Sequence, residues 1–445
     1  MANVLLIDYD NGSHLPFFPL HLFYLSGALK HAGHGVNIWP QSIHHGPESG
    51  LTELLDRNPF DIVGLGFCAG YWQYEKAKKI SEAINASKRR PKLNFVLGGH
   101  GPAGAPEFFM SKMSADTVVI GDGENAICEI ASGDKRGIIH GVPSSREEAP
   151  IECYEQFPMY LYRLIRWPTS ERTDFCLPIL SSRGCKWHCS FCYRMREGFH
   201  ERAVEAIVEE ITYLHDKWLI NHFQFADELL MGSEKRTEEI CNALLGLPFQ
   251  IKWDCNGRLN YATTQILQLM RRAGCEYINY GIESLDQDIL NGMKKGLTVD
   301  MIHAGVRATL DSGLSPGLNF IWGFPGDTVE NLHKAVDFIR EYDPCDELRT
   351  IRPVTPYPGC PLYDKAIESG LLDGPEDFYE RKHKNSDLFT VNFMDIPTEE
   401  AHRELHFANI RLLANYLEKR RNKTVEAMGK LYLEGDMSFR GFRAV

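Results

Sequence analysis

At 445 residues the chain is too long for one ordinary domain and suits two or three. Its 43% hydrophobic content can fill real cores, while 48 Lys and Arg against 60 Asp and Glu give a formal charge of -12, which disfavours a nucleic-acid partner because phosphate-backbone affinity needs a basic surface. The apolar runs fall short of the ~20 residues of a membrane span, and Met1-Ala2-Asn3-Val4-Leu5-Leu6-Ile7-Asp8 lacks the basic start of a signal peptide, so a soluble, cytoplasmic protein with no membrane partner is expected.

Before about residue 135, short apolar runs alternate with amphipathic stretches: Val4 to Ile7, Leu20 to Ala32, Val36 to Trp39, Leu51 to Leu55, Ile62 to Phe67, Tyr74 to Ile84, Leu93 to Leu97 and Thr117 to Ile120. Alternating strands and helices predict an α/β, doubly wound, Rossmann-like parallel sheet over residues 1–135. Glycines stand where strands hand over to loops, at Gly98-Gly99 and Gly121-Asp122-Gly123, and in such sheets ligands bind beyond the carboxyl ends of the strands. Turn chemistry alone accounts equally for any single pair. Residues 136–172 mix glycine, proline, charge and aromatics without periodicity, as a linker would.

From residue 173 the alternation resumes. Strands are expected near Cys176 to Ser182, His222 to Ala226, Lys252 to Asn256, Tyr277 to Gly281, Gly317 to Trp322 and Leu348 to Pro353, with helices between them. Six βα units predict a partial (β/α)6 TIM-like barrel over 173–365. A mainly helical carboxy-terminal region, 366–445, follows, with Glu399 and Glu400 early in its last helix and Lys419-Arg420-Arg421 later, as the helix dipole favours.

Twelve cysteines are too few and too scattered for a disulfide scaffold. Three of them cluster, in Ser182-Arg183-Gly184-Cys185-Lys186-Trp187-His188-Cys189-Ser190-Phe191-Cys192. Three thiolates can hold a [4Fe-4S] cluster by three irons and leave the fourth open, since such clusters are generally held by four cysteines. A structural zinc site is the alternative, and it needs a fourth ligand such as His188 or Cys176.

The CxxxCxxC order, with Phe191 just before its last cysteine, resembles the radical S-adenosylmethionine superfamily. The resemblance extends from about Cys176 to Asp364 through the strand ends Asp227-Glu228, Asn256-Gly257-Arg258, Gly281-Ile282-Glu283-Ser284, Gly323-Phe324-Pro325-Gly326-Asp327 and Thr355-Pro356-Tyr357-Pro358-Gly359. It implies that Cys185, Cys189 and Cys192 ligate the cluster and that Phe191 and Tyr193 lie by the adenine of S-adenosylmethionine. Glu283, Ser284, Asp227 and Glu228 would contact that cofactor, and Arg258 suits its carboxylate, although a salt bridge explains Arg258 as well. An external one-electron reductant of the flavodoxin or ferredoxin type is implied too.

The amino-terminal run Pro19 to Leu25, Lys30-His31-Ala32-Gly33-His34, Asp61 to Leu65, Leu97-Gly98-Gly99-His100 and Ile120-Gly121-Asp122-Gly123-Glu124 is similar to the cobalamin-binding domain that precedes many radical S-adenosylmethionine domains. The DxHxxG signature of a histidine ligand to cobalt is absent. Gly98, Gly99, His100, Gly121, Gly123 and Glu124 are the expected cobalamin contacts, and Tyr71 or Trp72, in the loop after the third strand, is expected to cover the lower face of the corrin, as a flat aromatic can. Core packing explains both aromatics equally well.

The family reading is therefore a cobalamin-dependent radical enzyme that methylates an unactivated carbon of a small molecule through a 5'-deoxyadenosyl radical and methylcobalamin. Its rivals are a non-methylating cyclisation, ring contraction or rearrangement, radical chemistry without cobalamin, and a non-catalytic metal-binding protein. Cys360 and Cys345 read as small buried apolar residues. Phe378, Tyr379, Phe389 and Phe393 fit either a substrate pocket or a core.

Overall fold

The computed structural model describes residues 1–133, 135–143, 148–194 and 198–438. The end of the expected carboxy-terminal region, 439–445, and part of the expected linker lie outside the described residues. The first sheet contains β1 (Asn3–Asp8), β2 (Gly35–Pro40), β3 (Ile62–Gly66), β4 (Asn94–Gly98), β5 (Thr117–Gly121) and β6 (Gly137–Gly141), in the spatial order β2-β1-β3-β4-β5-β6. All five pairings are parallel. Near-continuous apolar runs such as Val4-Leu5-Leu6-Ile7 are buried on both faces, as a parallel sheet covered by helices requires. The order reverses between β1 and β3, the switch point of the sheet, and such sheets bind ligands beyond the carboxyl ends of their strands.

β6 lies beyond the expected domain end at residue 135 and pairs with β5 along its whole length. It escaped notice because only two apolar residues, Ile138 and Ile139, stand between glycines, too short a run to show alternation. The expected linker is likewise built into the core. A 3-10 turn at Ile151–Gln156 and a short helix at Met159–Tyr162 bury Tyr154, Phe157 and Tyr162 against Phe18 and Phe23 of the first domain. The Tyr162 hydroxyl donates to Asp8 at the end of β1 (3.1 Å), while the Tyr154 hydroxyl donates to Glu210 of a barrel helix (2.6 Å). Burial raises the Asp8 carboxyl to about 6, against the pull of Ser42 and Tyr162.

The second sheet begins with β7 (Cys176–Ile179), after which β8 (Ser182–Gly184) and β9 (Phe199–Glu201) form an antiparallel ribbon. β10 (His222–Phe225), β11 (Lys252–Gly257), β12 (Cys275–Glu283), β13 (Ser315–Trp322) and β14 (Arg352–Pro353) complete a parallel sheet ordered β14-β13-β12-β11-β10-β7. Its end strands do not pair, so it is an open, curled half-barrel. Four of the barrel helices start at hydroxyl caps: the side chains of Ser233, Thr263, Thr298 and Thr328 each accept a backbone N–H from the first turn. A single helix, Thr398–Leu433, ends the described chain.

The amino-terminal end of the half-barrel is tied by a buried charge cluster. His222 of β10 contacts Asp254 of β11 (3.1 Å) and Asp174 (3.6 Å), and Ser170 bridges His222 (3.3 Å) and Cys176 of β7 (3.2 Å). Burial alone would lower the histidine, but the Asp254 carboxylate and the Cys176 thiol outweigh it and hold its pKa at about 9. A histidine with its folded pKa raised above the ordinary value contributes stability that is complete below about pH 6.5 and is lost as pH rises through about 9. Chemical denaturation should therefore show stability falling by on the order of 3 kcal/mol across that window, and the fall should vanish in His222→Gln.

Candidate active site

The barrel's carboxyl end is organised around Asp227, the residue after the β10–Ala226 segment. Its side chain is fully buried and takes the Ser181 N–H (2.7 Å), the Ser181 hydroxyl (2.5 Å) and the Ser182 hydroxyl (2.7 Å). Burial pushes this carboxyl up, against the pull of those donors. Asp227 thus holds the entry to the cysteine loop from below. Glu228, its neighbour, is exposed at the rim.

The loop then turns back on itself. Cys192 N–H donates to the Cys189 carbonyl (3.2 Å), and Ser190 is clamped between Met293 and Leu362 by two backbone bonds. Cys189 is buried, Cys185 half-buried and Cys192 exposed. Burial pushes the Cys185 thiol above the usual thiol range, so it keeps its proton at neutral pH unless a cation replaces it. Among the described residues no three His, Cys, Asp or Glu side chains converge on a point that would hold a single metal ion. The zinc alternative also lacks its fourth ligand, because Cys176 is buried at the opposite end of β7 on Ser170 and His188 is exposed on the loop. Three thiols on one short loop are the number that a cluster held at three corners needs.

Around the loop, Arg258 at the end of β11 points Nη1 at Cys189 Sγ (3.7 Å), lies over the Trp187 ring (4.0 Å) and donates through Nη2 to the Lys295 carbonyl. Glu283 pairs with Lys295 Nζ (2.9 Å), both being buried. Its backbone has φ +70° at the register shift between β12 and β13, a left-handed conformation costly for glutamate that aims the side chain along the sheet rim. Ser284 accepts the Asp286 N–H (3.1 Å). Phe191 packs edge-on against Phe324 (5.4 Å), with Lys295 Nζ 5.5 Å from its ring centre. Lys295 was not singled out in the sequence, although Lys294-Lys295-Gly296 is a basic pair ahead of a turn.

The first domain meets this rim with the ends of β4 and β5. Gly99 has φ +91°, and a Cβ there would lie 2.7 Å from the Phe67 carbonyl oxygen, so only glycine closes this turn, whereas a Cβ on Gly98 would meet nothing within 4 Å. The backbone edge at Gly98 is therefore open. Gly121 ends β5 and Gly123 opens the following helix. His100, kept neutral by burial, stands edge-on to Tyr193 (5.6 Å), and Glu124 forms an ion pair with Arg183 of the ribbon (2.6 Å) whose guanidinium lies over Tyr24 (4.4 Å). Arg183 sits inside the cysteine motif but carried no signal of its own. Gly104 and Gly359 bring the two domains into backbone contact, since a Cβ on Gly104 would lie 2.2 Å from the Pro358 carbonyl oxygen.

Tyr71 and Trp72 open the helix Tyr71–Asn85 rather than sitting in the preceding loop. Tyr71 is half-buried beneath Lys384 (5.5 Å), and Trp72 is 76% exposed, so Trp72 is not a core residue. Cys345 and Cys360 are both buried. Phe378, Tyr379 and Phe389 are buried and Phe393 is partly so. Three buried polar atoms in this region lack hydrogen-bond partners: the Tyr363 and Tyr379 hydroxyls and His383 Nε2.

Two family models match the chain in succession, the B12 binding domain over residues 13–131 and the Radical SAM superfamily over residues 179–339. An uncharacterized methyltransferase of Pyrococcus horikoshii is 27% identical over 380 residues, covering 80% of this chain and 79% of its own. Bacteriochlorophyllide d C-12(1)-methyltransferase of Chlorobaculum tepidum is 24% identical over 77% of this chain and 76% of its own. Among solved structures, the radical S-adenosylmethionine methyltransferase TsrM of Kitasatospora setae, with cobalamin and a [4Fe-4S] cluster bound, shares the fold with a TM-score of 0.70 at 17% identity, over 93% of this chain and 89% of that one.

Replacing Cys185, Cys189 or Cys192 by alanine should remove most of the iron from anaerobically prepared protein, whereas Cys176→Ala should leave iron content unchanged. Trp72→Ala should lower cobalt content and alter the visible cobalamin spectrum with iron unaffected. The two models in this order, with their strand ends facing one another across a shared rim, place the chain among the cobalamin-dependent radical S-adenosylmethionine enzymes.

Proposed function

We propose that the protein methylates an unactivated carbon of a small-molecule substrate, using S-adenosylmethionine both to generate the radical and to supply methyl groups. The observation that carries this reading is the apposition of the β4 and β5 ends to the cysteine loop, through His100 on Tyr193 and Gly104 on Pro358. The names of the Pyrococcus and Chlorobaculum relatives support methyl transfer over rearrangement. When bound, the cluster supplies the electron that cleaves S-adenosylmethionine and cobalamin carries the methyl group.

In this reading Cys185, Cys189 and Cys192 hold the cluster, and Arg258 neutralises charge beside Cys189 and offers a cation to the cofactor's carboxylate. Glu283, set by Lys295, together with Ser284, Glu228, Phe191 and Tyr193, frames the rest of S-adenosylmethionine. Asp227 acts one step back, by fixing the loop entry. Gly98, Gly99, Gly121 and Gly123 form the cobalamin cradle, and His100, Tyr71 and Trp72 border it. Glu124 positions the ribbon through Arg183. The segment before the helix Thr398–Leu433 covers the end of β13, where Phe389 packs on Trp322 (5.7 Å) and over Gly323, and excludes water there.

The substrate is placed against Tyr357, Tyr363, Tyr379 and His383. The unpartnered Tyr379 hydroxyl and His383 Nε2 suit a neutral substrate with hydrogen-bonding groups, because burial keeps His383 uncharged with a pKa of about 4. An external one-electron reductant of the flavodoxin or ferredoxin type is required. A reducing, cytoplasmic setting agrees with the unpaired state of all twelve cysteines, and no helix among the described residues is long and apolar enough to cross a membrane.

Anaerobic turnover of iron- and cobalt-loaded enzyme with methyl-deuterated S-adenosylmethionine and a small-molecule extract should yield 5'-deoxyadenosine and S-adenosylhomocysteine together, with a deuterated methyl in one product. Product without S-adenosylhomocysteine would establish rearrangement instead, and full activity without cobalt would remove cobalamin from the reaction. Tyr379→Phe should keep substrate-independent 5'-deoxyadenosine formation while lowering methylated product about tenfold, the loss of one hydrogen bond to substrate.

A further inference from the structure

The helix Leu20–His31 follows β1, and its first turn reaches the carboxyl end of the first sheet beside the switch point between β1 and β3. His21 and Leu25, a helical turn apart on one face, each meet a glycine at that end. A Cβ on Gly66, the last residue of β3, would lie 3.5 Å from His21 Cδ2 and 3.9 Å from His21 Nε2, and a Cβ on Gly123 would lie 2.9 Å from Leu25. Gly66 is in register with Gly98 of β4, and the point that its Cβ would occupy is 3.8 Å from the Gly98 carbonyl oxygen. His21 therefore borders the same glycine-lined rim as Gly98 and Gly123.

The imidazole is unengaged. Among the described residues it makes no hydrogen bond, ion pair or ring contact, whereas other inward histidines are held, His222 by Asp254, His383 by Thr390 and His100 by Tyr193. The His21 side chain is exposed, yet the protein around it excludes enough water to lower its pKa to about 4. Exposure combined with that desolvation marks the wall of a concave site rather than a convex surface, and it leaves a ring-nitrogen lone pair free of its proton at neutral pH. Cys68, two residues beyond Gly66, is another exposed side chain of a metal-ligating type at this rim. Its enclosed position raises the thiol above the usual range, so it keeps its proton.

We propose, resting on the cobalamin reading of the first domain, that His21 is an axial ligand of cobalt, supplied from the first turn of a helix rather than from the DxHxxG loop that this chain lacks. The rim fits such a group. A flat corrin can approach the Gly66–Gly98 edge because no side chain projects from it, and the unengaged imidazole stands beside that edge. A ring nitrogen of His21 donates its lone pair to cobalt and displaces water or the cofactor's own benzimidazole; no electron is transferred, and no proton is released because the imidazole is already neutral. Tyr71 and Trp72 then border the corrin without capping its metal.

Electron paramagnetic resonance of the full-length, cofactor-loaded protein, with its cobalt reduced to cobalt(II) and its iron-sulfur cluster left oxidised, reads this ligand. The wild type should show the cobalt hyperfine lines split into triplets by one axial nitrogen. Growth on histidine labelled with 15N should convert those triplets to doublets, which a nitrogen of the cofactor's own base would not do. His21→Ala should retain cobalamin, lose the histidine-derived splitting and recover a triplet when free imidazole is added, while Cys68→Ser should keep the wild-type pattern. Unsplit lines in the wild type, triplets indifferent to the label, or doublets that persist in labelled His21→Ala overturn the proposal. Protein that takes up no cobalamin overturns the cofactor reading along with the ligand, whereas bound cobalamin without a histidine nitrogen overturns the ligand alone.

Discussion

The half-barrel's working rim depends on one buried carboxylate. Asp227 gathers both serines that precede the cysteine loop, and its own backbone carbonyl accepts from Asn256 of β11 (2.8 Å). A carboxylate without water is costly unless its oxygens are satisfied, and here three donors from one dipeptide meet that need. The loop that carries Cys185, Cys189 and Cys192 is consequently launched from a fixed point. Residues farther out, Arg258 on Cys189 and Ser190 between Met293 and Leu362, refine a direction already set.

A second constraint acts between domains. The segment 151–162 buries aromatic rings in the first sheet's core and sends one hydroxyl to Asp8 and another to Glu210, whose other oxygen pairs with Arg202 (2.6 Å) in full burial. Glu124 and Arg183 add an ion pair nearer the rim. With three independent ties, the ends of β4 and β5 and the cysteine loop are held at one separation. This is the preorganisation that two-cofactor chemistry demands, because reacting groups must be positioned before any bond is broken.

Much of this was legible in the chain. Short continuous apolar runs separated by longer amphipathic stretches pointed to both parallel sheets, and all six barrel strands lie within a few residues of where the pattern put them. The cysteine triplet was visible because metal ligands cluster in sequence when they share a loop. What stayed hidden was anything defined by a partner distant in sequence. Asp227 reads as one more strand-end carboxylate until Ser181 and Ser182 surround it, and Glu283 reads as free until Lys295 closes on it. Strand β6 has too few apolar residues to declare itself, and Tyr154 and Tyr162 look like linker aromatics until the core they fill is assembled. Trp72 was misplaced for a local reason, since Gly70 ends the loop early and the helix begins at Tyr71.

The clasp from β6 through Tyr162 also determines how separable the two halves are. The boundary that the sequence suggests, near residue 135, would cut between β5 and the strand that covers it, leaving the backbone donors and acceptors of β5 as a bare edge, a template for pairing with other chains. It would also strip Phe18 and Phe23 of the rings that bury them. The cobalamin-binding half is therefore a module only when it takes residues 137–162 with it, and exchange of such halves between relatives must transfer that stretch together with the sheet it completes.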